Sequence, residues 1–263
     1  WPETAISDRN GINEEEFREY PQYQKVLQFL EPYHNGNVLS GIESYVLYAD
    51  QRTPTAKPIG NMFYDSFNAG VLVDGSSKLQ FYHKSKLVPG AELMPFGKAL
   101  SLLKPFFAHF GGTTGGYGSQ DKPSVFYSAS GIGAAPVICY ESIWGNYVAE
   151  YVKMGAQFIA VITNDGWWGD TSGKDQHLQY AKLRAIENRR WVVRSANTGI
   201  SAFINQRGDI VQKSSWWVPT ALSQEINLNE NLTFYTRSGD LIVYLCLLTS
   251  LISIGLIFVR KRN

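Results

Sequence analysis

Apolar residues along this chain change repeatedly between the spacing of strands and the spacing of helices. Runs that are apolar at alternate positions or without interruption predict β-strands, and runs with apolar residues three or four positions apart predict helices. Their alternation favours a layered α/β fold, and several short joins between strands favour a mixed sheet. The predicted strands are Val38–Tyr48, Met62–Val73, Lys78–His83, Val125–Tyr127, Ala134–Tyr140, Phe158–Thr163, Trp191–Ser195 and Ile200–Asn205, and the predicted helices are Ile143–Met154 and Asp175–Arg190.

The N-terminal part of the chain predicts a broken amphipathic helix. Asn13, with Glu16 three positions later, has the form of a capping box. Apolar residues between Phe17 and Leu30 follow a helical spacing, which Pro21 interrupts.

The C-terminal part contains an uncharged run, Leu241–Val259, followed directly by Arg260, Lys261 and Arg262. At about 1.5 Å per residue the run is roughly 28 Å long, close to the thickness of the bilayer core, so it predicts a transmembrane helix rather than a buried core helix. The basic residues would place the C-terminus in the cytoplasm. The predicted parts are a domain over residues 1–238 on the far side of the membrane, a span over 241–259 and a tail over 260–263.

Composition narrows the possible partners. The 263 residues are 44% hydrophobic and 18% charged with a net charge of +1, which gives no sign of a nucleic-acid partner. No cluster of His, Cys and Asp has the spacing of a metal site. The glycine-rich segment Gly111–Gly118 lacks the Gly-Lys-Ser/Thr ending of a phosphate-binding loop and predicts a flexible surface loop.

Aromatic residues make up 14% of the chain and include the pairs Trp167-Trp168 and Trp216-Trp217. Such pairs suit a lipid interface or an apolar substrate, and they suit an ordinary core equally well. The chain begins at Trp1 without a methionine or a signal-peptide pattern, which predicts a piece of a longer protein.

Cys139 stands where the predicted strand Ala134–Tyr140 ends. A cysteine in that place is held rigidly beside a cleft, and a helix starting just beyond it would favour the thiolate. The other cysteine, Cys246, lies in the predicted span, so Cys139 is expected to be a lone thiol. The alternative is a small buried core residue, which is common for free cysteines.

An attacking thiol needs a base, a stabilised oxyanion and a proton for the leaving group. Glu3, Lys84, Glu92 and Glu141 stand near predicted strand ends, although each alone is also typical of an exposed surface residue. A Cys-His pair is the alternative. The histidines are His34, His83, His109 and His177, of which His83 would point to the opposite sheet face from Lys84.

Three motifs resemble, in order, those of the Glu-Lys-Cys triad in the nitrilase (carbon-nitrogen hydrolase) superfamily. They are Trp-Pro-Glu ending at Glu3, Tyr-x-Lys-x-x-Leu-Val-Pro from Tyr82 to Pro89, and Cys-Tyr-Glu from Cys139. Similarity to a membrane-bound acyltransferase branch extends over nearly the whole chain. It is carried by Thr163-Asn164-Asp165-Gly166-Trp167-Trp168-Gly169-Asp170, Gln176-His177-Leu178, Arg184-Ala185-Ile186-Glu187 and Arg194-Ser195-Ala196-Asn197-Thr198-Gly199.

This resemblance implies a nitrilase-like αββα sandwich and a cofactor-free acyl transfer. Cys139 would take an acyl chain from a phospholipid as a thioester and pass it to the amino group of a diacylglyceryl-cysteine apolipoprotein. Glu3 would be the general base, and Lys84, with a backbone N–H near Tyr140, would stabilise charge on sulfur and oxygen. The further implied residues are Glu92, Tyr140 and Glu141, which would orient Lys84 and the substrate.

The implied location is the bacterial inner membrane with the catalytic domain on the periplasmic side. Two features depart from the branch: its N-terminal membrane bundle is absent from this sequence, and Pro89-Gly90-Ala91-Glu92 replaces the usual Pro-Phe-Gly-Glu. Two rival functions remain, an amidase that uses water as the acceptor and an inactive nitrilase-like scaffold of the cell envelope.

Overall fold

The computed structural model describes residues 1–8, 11–74, 76, 78–93 and 116–260, with side chains as far as residue 257. Strands in these residues form two mixed sheets, which confirms the predicted α/β class. In the first sheet β4 pairs with β2 on one edge and with β3 and β5 on the other, and β1 runs parallel to β2. Its strands are β1 (Ile12–Asn13), β2 (Val38–Tyr48), β3 (Lys57–Ile59), β4 (Met62–Val73) and β5 (Gln80–His83).

The second sheet has its strands in chain order from β6 to β11. The central strands β7, β8 and β9 are parallel, so their carboxyl ends meet at one edge of the sheet, while the outer pairs are antiparallel. Its strands are β6 (Phe126–Tyr127), β7 (Gly133–Ile138), β8 (Phe158–Thr163), β9 (Val192–Ala196), β10 (Ala202–Ile204) and β11 (Ile210–Lys213).

Helices cover the outer faces of the two sheets, which gives the order helix, sheet, sheet, helix. Side chains of α1 pack on the first sheet, and those of α2 and α3 pack on the second. The helices are α1 (Pro21–Leu30), α2 (Gly145–Lys153), α3 (Gly173–Asn188), α4 (Phe234–Ser238) and α5 (Leu241–Arg260), with 3-10 turns at Phe17–Glu19, Cys139–Ile143 and Asp165–Trp168.

Strand β4 lies at the centre of this arrangement and is buried on both faces. Ala69 and Val71 face α1, whereas Gly70 and Leu72 face the second sheet. An unbroken apolar stretch is what such a doubly covered strand requires, since each fully buried large side chain contributes about 1.5–3 kcal/mol.

Three local predictions are wrong. Asn13 belongs to β1 and does not cap a helix; its side chain accepts a hydrogen bond from the N–H of Glu15 at 3.3 Å. Pro21 opens α1 instead of breaking a helix, because the first helical position needs no N–H donor. The strand that precedes Cys139 ends at Ile138, so the cysteine lies in the following 3-10 turn.

Helix α5 covers the predicted span, and every described side chain from Leu241 to Ile257 is exposed. Among the residues described, no helix combines the length and apolar character needed to cross a bilayer. The structure therefore does not support the transmembrane helix predicted over 241–259. The predicted glycine-rich loop lies mostly outside the described residues, which resume at Gly116.

Gly41 and Gly70 are directly opposite each other on β2 and β4 and make a matched pair for substitution. A Cβ at Gly41 would lie 2.5 Å from the Cα of Glu3 and 2.6 Å from the carbonyl oxygen of Pro2, whereas at Gly70 the nearest atoms are 3.6 Å away. We expect Gly41→Ala to lower the free energy of unfolding by about 1–3 kcal/mol through overpacking. Gly70→Ala should be neutral or stabilising by up to about 1 kcal/mol. Denaturant unfolding checks both, and equal stability of the two variants would contradict the proposed close approach.

Candidate active site

A cavity of about 520 Å³ lies where strands of both sheets end. Lys84 follows β5 of the first sheet, and Cys139 and Asn164 follow the parallel strands β7 and β8 of the second. The polar lining includes Glu3, Asn68, Lys84, Glu92 and Cys139. The aromatic lining includes Tyr117, Tyr140, Trp167, Trp168 and Tyr180.

Cys139 is half-buried and has a left-handed backbone with a φ of 47°. This conformation costs a non-glycine residue about 1–2 kcal/mol, so surrounding contacts must hold it. Burial, together with the charge of Glu3, raises the pKa of the thiol to about 12, although Lys84 and a hydrogen bond with Thr163 oppose the rise. The resting cysteine is therefore a neutral thiol that needs a base.

Lys84 is 1% exposed and shares the inward-facing side of its strand with Tyr82. Its Nζ donates to Oε1 of Glu92 at 2.8 Å, and its backbone N–H donates to the carbonyl of Asn68 at 2.9 Å. Burial lowers the pKa of Lys84, but the charge of Cys139 when its sulfur is ionised and the charges of Glu3 and Glu92 outweigh burial and raise the pKa overall. The side chain is therefore a fixed ammonium group.

Glu3 is 6% exposed and is held from both sheets. Oε1 accepts a short hydrogen bond from Nδ2 of Asn68 on β4, and Oε2 accepts one from the backbone N–H of Asn164 at 2.8 Å. Burial raises the pKa of Glu3, while Lys84 and the two hydrogen bonds favour the ionised form. Glu3 is thus a carboxylate with raised basicity.

Asn68 is a site residue that the sequence did not reveal. Its Nδ2 donates to Oε1 of Glu3 and also to Oε1 of Glu92 at 2.9 Å, so one amide bridges both carboxylates. Glu92 completes its own contacts by accepting from the N–H of Val88 at 2.8 Å. The available signal was a polar residue directly before the apolar run Ala69–Val73 of β4.

Glu141 has a different position from the one expected. It is fully buried and contacts the backbone on both sides of the site rather than the cavity. Its carboxylate accepts from the N–H groups of Ser85 (2.7 Å), Lys86 (3.2 Å) and Ile138 (2.8 Å) and from the hydroxyl of Tyr82 (2.5 Å). Burial raises its pKa to about 7 against these donors. Glu141 therefore ties the Lys84 loop to the Cys139 turn, and its part in orienting the substrate stays a prediction.

Tyr140 lines the cavity, as expected for a residue next to the thiol. Its ring packs edge-on against Trp144, with ring centroids 6.1 Å apart. Trp167 and Trp168 are 67% and 46% exposed at the cavity mouth, so at least one face of each indole remains open to solvent or ligand.

Two of the described histidines, His83 and His177, make polar contacts other than with the thiol. His83 points away from Lys84, as predicted, and its Nε2 lies 2.6 Å from Oε1 of Glu14. His177 is 3% exposed, and its Nε2 lies 3.1 Å from the carbonyl oxygen of Cys139. His109 lies outside the described residues.

Asp165 contacts His177, and Arg194 in turn contacts Asp165. Nδ1 of His177 lies 2.8 Å from Oδ1 of Asp165, whose Oδ2 accepts a short hydrogen bond from Arg194. Burial would raise the pKa of Asp165, but its hydrogen bond with His177 and the charge of Arg194 hold it at about 2. Burial lowers the pKa of His177, and Arg194 lowers it further. A neutral imidazole therefore donates Nδ1–H to an ionised carboxylate.

Within the residues described, no group of three or more His, Cys, Asp and Glu side chains is arranged to hold a metal ion. The arrangement instead provides a thiol, a basic carboxylate and a fixed ammonium around one cavity. These are the groups required for acyl transfer through a covalent thioester.

The sequence model of the carbon-nitrogen hydrolase family matches residues 48–231. The apolipoprotein N-acyltransferase of Chlorobaculum tepidum is 32% identical over all of this chain and 49% of its own length, and that of Photobacterium profundum is 29% identical over all of this chain and 47% of its own. Apolipoprotein N-acyltransferase 2 of Leptospira interrogans is 42% identical over 49% of this chain and 22% of its own length. The chain spans about half the length of the first two relatives. With a match over most of its length, the chain belongs to the carbon-nitrogen hydrolase family.

Proposed function

We propose that this chain is the catalytic part of an N-acyltransferase that completes bacterial lipoproteins. The observation that carries the proposal is the convergence of Glu3, Lys84 and Cys139 on one cavity whose walls are largely aromatic and aliphatic. The relatives named apolipoprotein N-acyltransferase support the same reaction class. The acyl donor is a phospholipid, and the acceptor is the terminal amine of a diacylglyceryl-cysteine apolipoprotein.

In the first half-reaction the sulfur of Cys139 attacks the ester carbonyl carbon of the donor while Glu3 takes the thiol proton. Lys84 and the backbone N–H of Tyr140 stabilise the resulting oxyanion. The intermediate collapses by breaking the bond to the ester oxygen, which receives the proton from Glu3. A thioester on Cys139 and a lysophospholipid are the products.

In the second half-reaction the acceptor amine attacks the thioester carbon, and Glu3 takes the proton that the nitrogen loses. Collapse breaks the carbon–sulfur bond, and the proton returns from Glu3 to sulfur, which regenerates the resting thiol. Glu92 holds the Lys84 ammonium through its 2.8 Å hydrogen bond in both halves. Tryptophans at the cavity mouth keep water from the thioester.

We further propose that α5 embeds in lipid and holds the catalytic part at the inner membrane of a bacterial cell. Its support is the exposed apolar surface from Leu241 to Ile257. The periplasmic side for the cavity is part of the same proposal, and the bacterial relatives named apolipoprotein N-acyltransferase are its support.

The thioester can be detected directly. When the full-length protein is incubated with labelled phospholipid and no acceptor, mass spectrometry should find an acyl adduct on Cys139. Cys139→Ser should remain folded and form no such adduct, because a serine hydroxyl is a much weaker nucleophile here. Cys246→Ser is the matched control and should form the adduct normally. Hydrolysis of a small amide without any adduct would favour the amidase, and the absence of both reactions would favour a scaffold.

The pH dependence of adduct formation should report on Glu3. Only ionised Glu3 can take the thiol proton, and burial raises its pKa above 4.5. As the pH is lowered, the rate should therefore begin to fall at a higher pH than it would if the base were an exposed glutamate. Glu3→Gln should lose about 10²–10⁴-fold in rate. Glu43→Gln, which changes another carboxylate at the cavity, should keep the acidic limb; if it removes that limb, Glu3 is not the base.

Membrane attachment by α5 predicts a simple difference in flotation. The full-length chain should float with phospholipid vesicles in a density gradient, because burying the apolar helix surface in lipid removes it from water. A chain that ends at Asp240 should lose the part of this binding that α5 supplies. Unchanged flotation of the shortened chain would show that other surfaces provide the attachment.

A further inference from the structure

The main-chain carbonyl of Cys139 contacts two side chains that the proposed reaction does not use. Oγ of Ser142 donates to this carbonyl oxygen at 2.8 Å, and Nε2 of His177 lies 3.1 Å from it. Ser142 and His177 also lie 2.8 Å apart, and both are at least 97% buried. The three groups form a closed contact directly behind the nucleophile.

The protonation states of Asp165 and His177 determine which atoms donate hydrogen bonds in this contact. Since Asp165 is ionised, it accepts Nδ1–H of His177, and the remaining nitrogen, Nε2, has no hydrogen to give. The Ser142 hydroxyl hydrogen is then shared between Nε2 and the carbonyl of Cys139. Asp165 is itself held by hydrogen bonds from Arg194 and from the hydroxyl of Thr163, the latter at 3.0 Å.

We propose that His177 and Ser142 are positioning residues that hold the left-handed backbone of Cys139 and so aim its thiol at Glu3 and Lys84. This inference rests on the proposed role of Cys139 as nucleophile. A residue with a φ of 47° persists only when its surroundings determine it. The hydrogen bond from Ser142 to the carbonyl, with His177 in contact with the Ser142 hydroxyl, is one such determinant. A displacement of about 1 Å at a reacting atom can cost about 10²-fold in rate.

The substitutions His177→Asn and His177→Gln distinguish a role of His177 in positioning Cys139 from a role in core packing alone. The amide nitrogen of Asn in His177→Asn takes the approximate place of Nδ1, so it still donates to Asp165 but does not reach the Cys139 carbonyl. In His177→Gln the amide nitrogen takes the approximate place of Nε2, where it can donate to that carbonyl directly. If His177 only satisfied Asp165, the asparagine variant would be the better one in every respect.

The experiment measures three quantities in the full-length wild type and variants. These are the melting temperature, kcat and KM for acyl transfer, and the rate at which iodoacetamide alkylates Cys139, followed on the Cys139 peptide by mass spectrometry. We expect His177→Asn to melt close to the wild type but to lose about 10²-fold in kcat and in alkylation rate with little change in KM. His177→Gln should recover most of both rates, even if it melts lower.

Several outcomes would overturn the proposal. Wild-type alkylation in His177→Asn is one, and a glutamine variant that is slower than the asparagine variant is another. If His177→Asn does not fold, Ser142→Ala tests the same grip and should slow alkylation by about tenfold or more; unchanged alkylation there also overturns it. Because alkylation needs no acyl donor, failure of the wild type to transfer acyl groups would refute the proposed function without affecting this comparison.

Discussion

The ammonium group of Lys84, buried between the two sheets, is the constraint on which the site depends. A charge in that position is tolerated only with carboxylates in contact, and those carboxylates in turn need donors. Glu92 meets the ammonium, Asn68 bridges Glu92 and Glu3, and the backbone of Asn164 completes Glu3. The N-terminal segment, the central strand β4, the end of β5 and the end of β8 must therefore converge for the charge to be buried at all.

The thiol is brought to this ionic cluster by contacts that act through the backbone. Glu141 ties the N–H of Ile138 to those of Ser85 and Lys86, so the turn before the nucleophile and the loop after the lysine are fixed relative to one another. His177 lies behind the carbonyl of Cys139 from the opposite side. Glu141, which does not line the cavity, and His177 thus fix the turn that carries Cys139 relative to Lys84.

The sequence predicted the strands well because a doubly covered sheet needs uninterrupted apolar runs, and it predicted the grouping of Glu3, Lys84 and Cys139 through ordered motifs. It could not predict the role of Asn68, since a polar residue directly before the apolar run Ala69–Val73 has no visible partner until a second segment 65 residues away is folded against it. The buried position of Glu141 was not visible in the sequence either, because it depends on the 3-10 turn that directs this side chain inward. The long run at 241–259 correctly indicated a helix, but length and apolar character read from sequence alone overstated it as a span.

The pKa values of Cys139 and Glu3 favour an unreactive, protonated thiol in the absence of substrate. The pKa of the thiol is about 12, and the pKa of Glu3, although burial raises it, starts from that of an ordinary carboxyl. The proton therefore remains on sulfur until a substrate arrives. In the proposed reaction the thiolate forms only as the bond to the acyl carbon forms, and Lys84 then neutralises the charge that passes to the oxygen. A neutral thiol also resists oxidation better than a thiolate. The buried ion cluster therefore holds the Glu3 carboxylate near Cys139, while the thiol keeps its proton until an acyl group is bound.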